Sequence, residues 1–175
     1  MSWTPTWVAC GYRRRMVSLR NSAVGRGIEK MAASPLFAKV GPTIVPKLDR
    51  VIHKATGGRV IMSAGMVPSL MLTVRGAKSG LPRRTPLATV PIADSWYIVV
   101  SNFGREKHPL WTVNLKANPD ASISFKGATF EVMASLLSEE EKAAVWPQLV
   151  KLWPNYDVYV ERSHRDLRVF RLDRR

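Results

Sequence analysis

The chain has 175 residues, a length that suits one ordinary domain with a core of its own. Its single cysteine, Cys10, excludes an intrachain disulfide, and its three scattered histidines lack the paired spacing of a metal site. A net charge of +14 indicates an anionic partner: nucleic acid, an anionic membrane surface, or a phosphorylated or carboxylated ligand. The alternative is that the charge serves solubility alone.

Residues 1–30 differ in composition and apolar pattern from the rest of the chain. They carry six basic residues against one acidic residue and show no sustained apolar period. We expect either a disordered arm or a translation start at Met31. No run reaches the roughly 20 apolar residues that span a bilayer, and Arg13, Arg14 and Arg15 follow too short an apolar stretch for a secretory signal. The chain is therefore expected in the cytoplasm, with peripheral contact to the inner face of the cell membrane left open.

Residues 31–58 form a segment in which apolar residues recur at an approximately helical spacing. The apolar positions are Phe37, Val40, Ile44, Val45, Leu48, Val51 and Ile52, and the neighbouring basic positions are Lys39, Lys47, Arg50, His53 and Lys54. Pro42 and Pro46 interrupt the pattern, which therefore predicts one or two short amphipathic helices, ending at Gly57 and Gly58. Separate apolar and basic faces suit an anionic membrane surface or a lipid ligand.

Residues 66–175 are rich in short β-type runs separated by polar turns. The predicted strands cover residues 69–74, 85–92, 96–100, 121–125, 129–136 and 168–172. Lys126 and Gly127 suit a hairpin turn, Pro109 suits a helix start, and Ser138 with Glu141 suits a capping box. The expected fold is mainly β, of the α+β class: a barrel of about six antiparallel strands with short flanking helices.

A basic turn follows the first predicted strand. Its cations are Arg75, Lys78, Arg83 and Arg84, and its flexible positions are Gly76, Ser79 and Gly80. Converging backbone amides and cations suit phosphate or carboxylate oxygens, although a solvated hairpin tip has the same composition. The spacing is not that of a P-loop.

Two further segments carry residues suited to ligand binding. Ser101 ends a strand that runs into a predicted helix N-terminus, where free N–H groups suit the carbonyls of a planar heterocycle. Trp111 and Asn114 share one face of that helix, and Trp111 suits ligand stacking and core packing alike. Tyr156 and Tyr159 follow an aromatic run; they either direct a hydroxyl inward as a hydrogen-bond or proton donor or only brace the barrel.

Together these segments resemble the deazaflavin (coenzyme F420)-dependent nitroreductase and quinone reductase family, small actinobacterial proteins with a split β-barrel. The shared motifs, in order, are GAKSGLPR at 76–83, SNFGREKHPLW at 101–111, NLKANP at 114–119 and WPQL at 146–149. Order and spacing agree with the family pattern. The resemblance is good over residues 69–160 and looser over 31–68, and residues 1–30 fall outside it.

The resemblance implies a split β-barrel of the FMN-binding type and an enzyme that uses reduced coenzyme F420 to deliver hydride to a small organic acceptor. A quinone is the expected acceptor, with nitro and enone compounds as alternatives. The implied cofactor-binding residues at the phosphate and acidic tail are Ala77, Lys78, Ser79, Arg83, Arg84, Thr85, Pro86 and Leu87. Those around the deazaflavin ring are Val100, Ser101, Asn102, Phe103, Lys107, Trp111, Asn114 and Leu115. The implied catalytic residues are Ser101, Tyr156 and Tyr159, and no metal is implied.

Two positions depart from the family pattern. Ala77 stands where the family usually has a second basic residue, so tail binding is expected either to be weaker or to rely on Arg75 and Lys107. Ala88 occupies a position that is often bulky and aromatic in the nitroreductases, so activity on nitroimidazoles does not follow from the resemblance.

Other classes of protein stay open at this point. An FMN-dependent oxidoreductase uses the same barrel, and a non-redox lipid- or anion-binding protein would use the same charge. A nucleic-acid-binding module is disfavoured, because the basic residues cluster with turn glycines and no run has the aromatic spacing of a base-stacking platform. Split barrels of this kind often dimerise, so a homodimer is among the expected assemblies.

Overall fold

The computed structural model describes residues 26–27, 30–32, 34–56 and 67–175. Most of the segment 1–30 therefore lies outside the described residues, as do Gly57 and Gly58, and the predictions for them stay predictions. The elements, in chain order, are α1 (Pro35–Ala55), β1 (Ser69–Arg75), β2 (Pro82–Ala88), β3 (Val90–Ile92), β4 (Ser95–Val99), a 3-10 turn (Asn102–Gly104), α2 (Leu110–Ala117), β5 (Asp120–Phe125), β6 (Ala128–Leu136), α3 (Glu139–Leu152), α4 (Asn155–Ser163) and β7 (Val169–Arg174).

The strands of the described residues form one antiparallel sheet in the order β2-β1-β5-β6-β7-β4-β3. Its two edge strands, β2 and β3, are consecutive in the chain and joined by Thr89 alone. Neighbouring strands lie about 4.8 Å apart, so a one-residue link cannot cross a flat sheet of seven strands, and the sheet must curl until its edges meet. Thr89 is buried at this corner, where its amide donates to the Pro68 carbonyl at 2.8 Å and its hydroxyl donates to the Tyr97 carbonyl at 3.0 Å. The predicted mainly β barrel with flanking helices is confirmed.

The structure has seven strands where the sequence pattern predicts about six. The predicted strand 85–92 is two strands, because the buried Thr89 ends one edge of the sheet and begins the other. β2 also extends back to Pro82, which the pattern places in a turn. Pro82, Pro86 and Pro91 are tolerated because β2 and β3 are edge strands, where one side of the backbone needs no partner strand.

Two apolar cores hold the fold together. Leu70, Leu72 and Val74 alternate along β1 and pack inside the barrel, where α2 adds Trp111 and Leu115. A second core lies between the outer side of the sheet and the helices α3 and α4. Its members include Leu137, Leu149, Trp153, Tyr156, Tyr159, Leu167 and Val169.

The predicted breaks at Pro42 and Pro46 are wrong, because α1 is one helix of 21 residues. Ser34 caps its start by accepting a hydrogen bond from the Phe37 amide at 3.1 Å. Each proline removes one backbone hydrogen bond and costs helix stability. The helix nevertheless continues because it packs against β2 and the 3-10 turn, and tertiary packing outweighs local propensity in such helices.

The outward face of α1 is apolar. Leu36, Val40, Ile44 and Leu48 recur every four residues and, with Val51, are between 40% and 72% exposed. Four residues per step keep these side chains on one side of a helix. Among the described residues, no helix combines the length and the hydropathy that crossing a membrane requires.

Candidate active site

A cavity of about 300 Å³ lies between α1 and the edge strand β2. The predicted residues that line it are Thr85, Pro86, Leu87, Ser101, Asn102, Phe103, Trp111, Tyr156 and Tyr159. The structure thus brings together the ring-binding loop, the strand after the basic turn and the aromatic C-terminal segment. These three parts are separated by long stretches of sequence and meet only because the sheet curls.

The cavity wall formed by α1 was missing from the sequence prediction. Phe37, Val45, Pro46 and Asp49 line it, and Asp49 is only 1% exposed. The sequence pattern indicated an apolar and a basic face suited to a membrane surface or a lipid ligand, and it gave no role to Asp49. A usable signal was present, because Asp49 is the only acidic residue between positions 31 and 58. A single carboxylate within a basic segment indicates a position whose surroundings differ from those of its exposed basic neighbours.

The turn after β4 has an uncommon backbone conformation. Asn102, Phe103 and Gly104 have φ angles of 45°, 58° and 75° in succession. A Cβ atom at Gly104 would lie 3.0 Å from the side chain of Arg162 and 3.3 Å from the ring of Tyr159, so α4 packs closely on this turn. On the other side, the Phe103 ring meets the Phe37 ring edge-on at 5.7 Å. Consecutive left-handed residues are costly and concentrate at functional sites.

The basic turn between β1 and β2 is tightly built. The Gly76 amide donates to the Leu81 carbonyl at 2.9 Å, and the Gly80 amide donates to the Gly76 carbonyl at 2.8 Å. The Ala77 amide donates to Oδ1 of Asn114 at 3.0 Å. Asn114 therefore holds the turn against α2 through its side-chain oxygen.

The turn presents donors and positive charge on its outer side. Lys78, Arg83 and Arg84 are exposed, and Arg83 donates to the Ser79 hydroxyl at 3.3 Å. Within the described part of the chain, the turn's hydrogen bonds use the amides of Gly76, Ala77, Gly80 and Leu81 and leave those of Lys78 and Ser79 unused. Free amides beside cations form a concavity for anions. Arg83 and Arg84 lie on β2 immediately before Thr85, the first residue of this strand that lines the cavity.

Some predicted residues do not reach the cavity. The side chains of Val100 and Leu115 are 0% and 1% exposed and belong to the barrel core. Lys107 is exposed, and its carbonyl accepts a hydrogen bond from the Asn102 side chain at 2.7 Å. Val100 and Leu115 can therefore reach a ligand only through backbone atoms or through the residues they support.

Tyr156 and Tyr159 are each 3% exposed at the cavity wall. Burial raises the pKa of both phenols above the ordinary value. For Tyr159, hydrogen bonds from Trp153 and Asn155 and the charge of Arg162 act in the opposite direction. Both hydroxyls are consequently protonated at neutral pH and can act as hydrogen-bond donors.

The buried phenol of Tyr156 predicts a loss of stability in alkali. Because its pKa in the folded chain lies above the ordinary 10.0, stability is fully present below about pH 10 and falls as the unfolded chain ionises. We expect this phenol alone to cost about 1.4 kcal/mol of unfolding free energy between about pH 9 and about pH 11. Urea titrations at each pH should show a smaller loss for Tyr156→Phe than for the unsubstituted chain. Equal losses in the two chains would mean that the Tyr156 phenol ionises as readily in the folded state as in the unfolded state.

A curled antiparallel barrel with a cavity beside the strand that follows a basic turn is typical of split-barrel proteins that bind a cofactor. The cavity suits a planar heterocycle, and the turn suits a phosphorylated, carboxylated tail. Residues 47–173 match the family model described as F420H(2)-dependent quinone reductase, and the chain belongs to that family. It is a coenzyme F420-dependent reductase, and the residues of the cavity and turn fit that cofactor.

Similarity to other proteins, in sequence and in structure, supports this family assignment. An F420H(2)-dependent quinone reductase of Mycobacterium tuberculosis (strain ATCC 25618 / H37Rv) is 33% identical over 138 residues, which cover 74% of this chain and 89% of that protein. A solved F420-H2-dependent reductase superposes with a TM-score of 0.57 and 34% identity, covering 61% of this chain and 94% of that one. A solved domain-swapped dimer gives a TM-score of 0.60 and 30% identity, covering 73% and 94%. The predicted split-barrel fold is confirmed.

Proposed function

We propose that this reductase passes hydride from reduced coenzyme F420 to a quinone. The observation that carries the proposal is the composition of the cavity wall. Phe37, Val45 and Trp111 offer apolar and aromatic surface, which suits the flat ring of a quinone. Ser101 and Tyr156 lie at the same wall, where a hydroxyl can donate a hydrogen bond to a quinone oxygen as negative charge builds on it.

Each group of residues has a separate task in this proposal. Lys78, Arg83 and Arg84 bind the phosphate and carboxylates of the tail and so position the cofactor. Trp111 and the turn Asn102–Gly104 orient the ring, and the side chains around them exclude water. Coenzyme F420, when bound in its reduced form, supplies the hydride. The protein contributes orientation and hydrogen-bond donors for the acceptor.

The test is a fluorescence titration of the full chain with oxidised F420 and, separately, with FMN, followed by steady-state assays with reduced F420. We expect micromolar or tighter binding of F420 and binding of FMN weaker by about 100-fold, which corresponds to about 2.7 kcal/mol. Menadione-type quinones should give a higher kcat/KM than nitroaromatics or enones. Preference for FMN would refute the cofactor assignment, and preference for a nitro compound or an enone would refute the acceptor assignment.

We also propose that α1 holds the enzyme against the inner, cytoplasmic face of the cell membrane, where lipid-soluble quinones are found. The exposed stripe of Leu36, Val40, Ile44 and Leu48 supports this, and the exposed cations Lys39, Lys47, Arg50 and Lys54 lie on the same helix. Apolar insertion combined with attraction to anionic lipid is how amphipathic helices bind membrane surfaces. The inner side of the same helix lines the cavity. In this proposal, α1 therefore contacts the membrane on one side and the candidate site on the other.

A homodimer is a further proposal. It is supported by the similar structure that was solved as a domain-swapped dimer. Light scattering of the purified chain would give about twice the protomer mass of 19.6 kDa if the proposal is correct, and the protomer mass if it is not.

A further inference from the structure

Arg165 lies between α4 and β7 and makes an unusual set of hydrogen bonds. Its Nη2 donates to the carbonyls of Val100 at 2.9 Å and Ser101 at 3.0 Å, and its Nε donates to the carbonyl of Arg105 at 3.0 Å. Its Nη1 lies 3.2 Å from Nδ1 of His108. Because a guanidinium can only donate, Nδ1 of His108 is the acceptor here. One half-buried side chain thus binds four groups of the loop 100–108.

These contacts enclose the strained part of the loop. Val100 and Ser101 precede the left-handed residues Asn102–Gly104, and Arg105 and His108 follow them. Strained backbone persists only where the surrounding structure holds it in place. The centre of the turn has a further contact, since the Phe103 carbonyl accepts a hydrogen bond from Arg162 at 3.4 Å. Arg165 therefore fixes both ends of the segment that forms one wall of the cavity.

We propose that Arg165 is a positioning residue of the reductase, which holds the loop 101–108 so that Ser101 and Asn102 face the bound ring and acceptor. The inference rests on the proposed role of this loop in the site. Arg165 does not line the cavity and acts through the loop. Its acceptors are three carbonyl oxygens and a ring nitrogen, all uncharged, so the planar array of donors matters more than the charge. A lysine ammonium keeps the charge but cannot reproduce this array.

Arg168 offers a matched control. It is half-buried, stands three residues away, and its charge, like that of Arg165, acts on His108. It contributes to the loop through its backbone, where its carbonyl accepts from the Val100 amide at 2.9 Å. Arg168→Gln keeps that bond and removes one positive charge from the same neighbourhood. Arg165→Gln removes one charge and the four side-chain bonds together.

The experiment compares Arg165→Gln, Arg165→Lys and Arg168→Gln by hydrogen–deuterium exchange of the peptide covering 101–108, and by kcat and KM with reduced F420 and menadione. We expect faster exchange in this peptide and a kcat lower by about 100-fold in both Arg165 variants, the size of effect that a displaced reacting group produces. Arg168→Gln should match the unsubstituted chain within about twofold. Methylguanidinium added to Arg165→Ala should restore part of kcat.

The proposal is overturned if exchange in the 101–108 peptide is unchanged in the Arg165 variants, if Arg165→Lys restores full kcat, or if Arg168→Gln causes an equal loss. Circular dichroism and thermal unfolding of each variant establish that the barrel is folded, and Arg165→Lys serves if Arg165→Gln does not fold. The exchange measurement needs no cofactor. If the unsubstituted chain bound no F420, the proposed function would fail while the exchange result still decided whether Arg165 holds the loop.

Discussion

Replacing Lys78 and Arg83 together by glutamine will weaken the binding of coenzyme F420 by about 100-fold. Both side chains are exposed at the basic turn, beside the amides of Lys78 and Ser79, which the turn's hydrogen bonds among the described residues leave unused. A hydrogen bond to a charged group contributes about 1.5 kcal/mol at the lower end of its range, which suits a solvent-screened site. The loss of two such bonds is about 3 kcal/mol, or two factors of ten in the dissociation constant. Fluorescence titration at fixed ionic strength measures it.

The control for this prediction removes the same charge elsewhere. Lys126 and Arg174 lie over the rings of Phe125 and Phe130, with distances of 5.3 Å and 5.2 Å to the ring centroids. Lys126→Gln with Arg174→Gln should change F420 affinity by about twofold or less, because only long-range attraction is lost. A loss as large as that of the turn variant would mean that net charge, and not the turn, binds the tail.

Beyond the barrel class, the features that the sequence patterns predicted correctly are local ones. The Lys126–Gly127 turn has φ angles of 52° and 81°, as a two-residue hairpin of this type requires. Ser138 and Glu141 form the expected capping box, with hydrogen bonds of 2.9 Å and 3.2 Å. Each of these depends on residues within three positions of one another. Their physical cause is therefore contained in a short stretch of sequence.

The features that sequence patterns missed depend on distant parts of the chain. Thr89 ends one strand and begins another only because β2 and β3 meet when the barrel closes. Asp49 is buried because β2 lies against α1. Arg165 binds carbonyl oxygens about sixty residues away, and backbone carbonyls leave no trace in a residue pattern. Three segments of the candidate site were predictable from the sequence, whereas the wall formed by α1 and the way in which the segments come together required the structure.

Replacing Val40 and Ile44 by aspartate will abolish the binding to anionic vesicles that we propose for α1. Both side chains belong to the exposed stripe on α1 and are 43% and 54% exposed. Inserting such a side chain into the acyl boundary contributes up to about 1.5–3 kcal/mol, and a carboxylate facing anionic lipid adds repulsion. We expect the partition coefficient to fall by more than about 100-fold. Flotation with vesicles of phosphatidylglycerol and phosphatidylcholine measures this.

The matched control places the same charges on another exposed apolar surface. Leu110 and Val113 on α2 are 82% and 56% exposed, so Leu110→Asp with Val113→Asp introduces equal charge at positions that are even more exposed. That variant should float as the unsubstituted chain does. Val40 and Ile44 do not line the cavity, so the α1 variant should keep its F420 affinity and its kcat on water-soluble quinones while losing activity on quinones held in vesicles. Unchanged flotation would refute the membrane role of α1 and leave the reductase assignment intact, because the exposed stripe and the cavity-lining side chains of α1 are different residues.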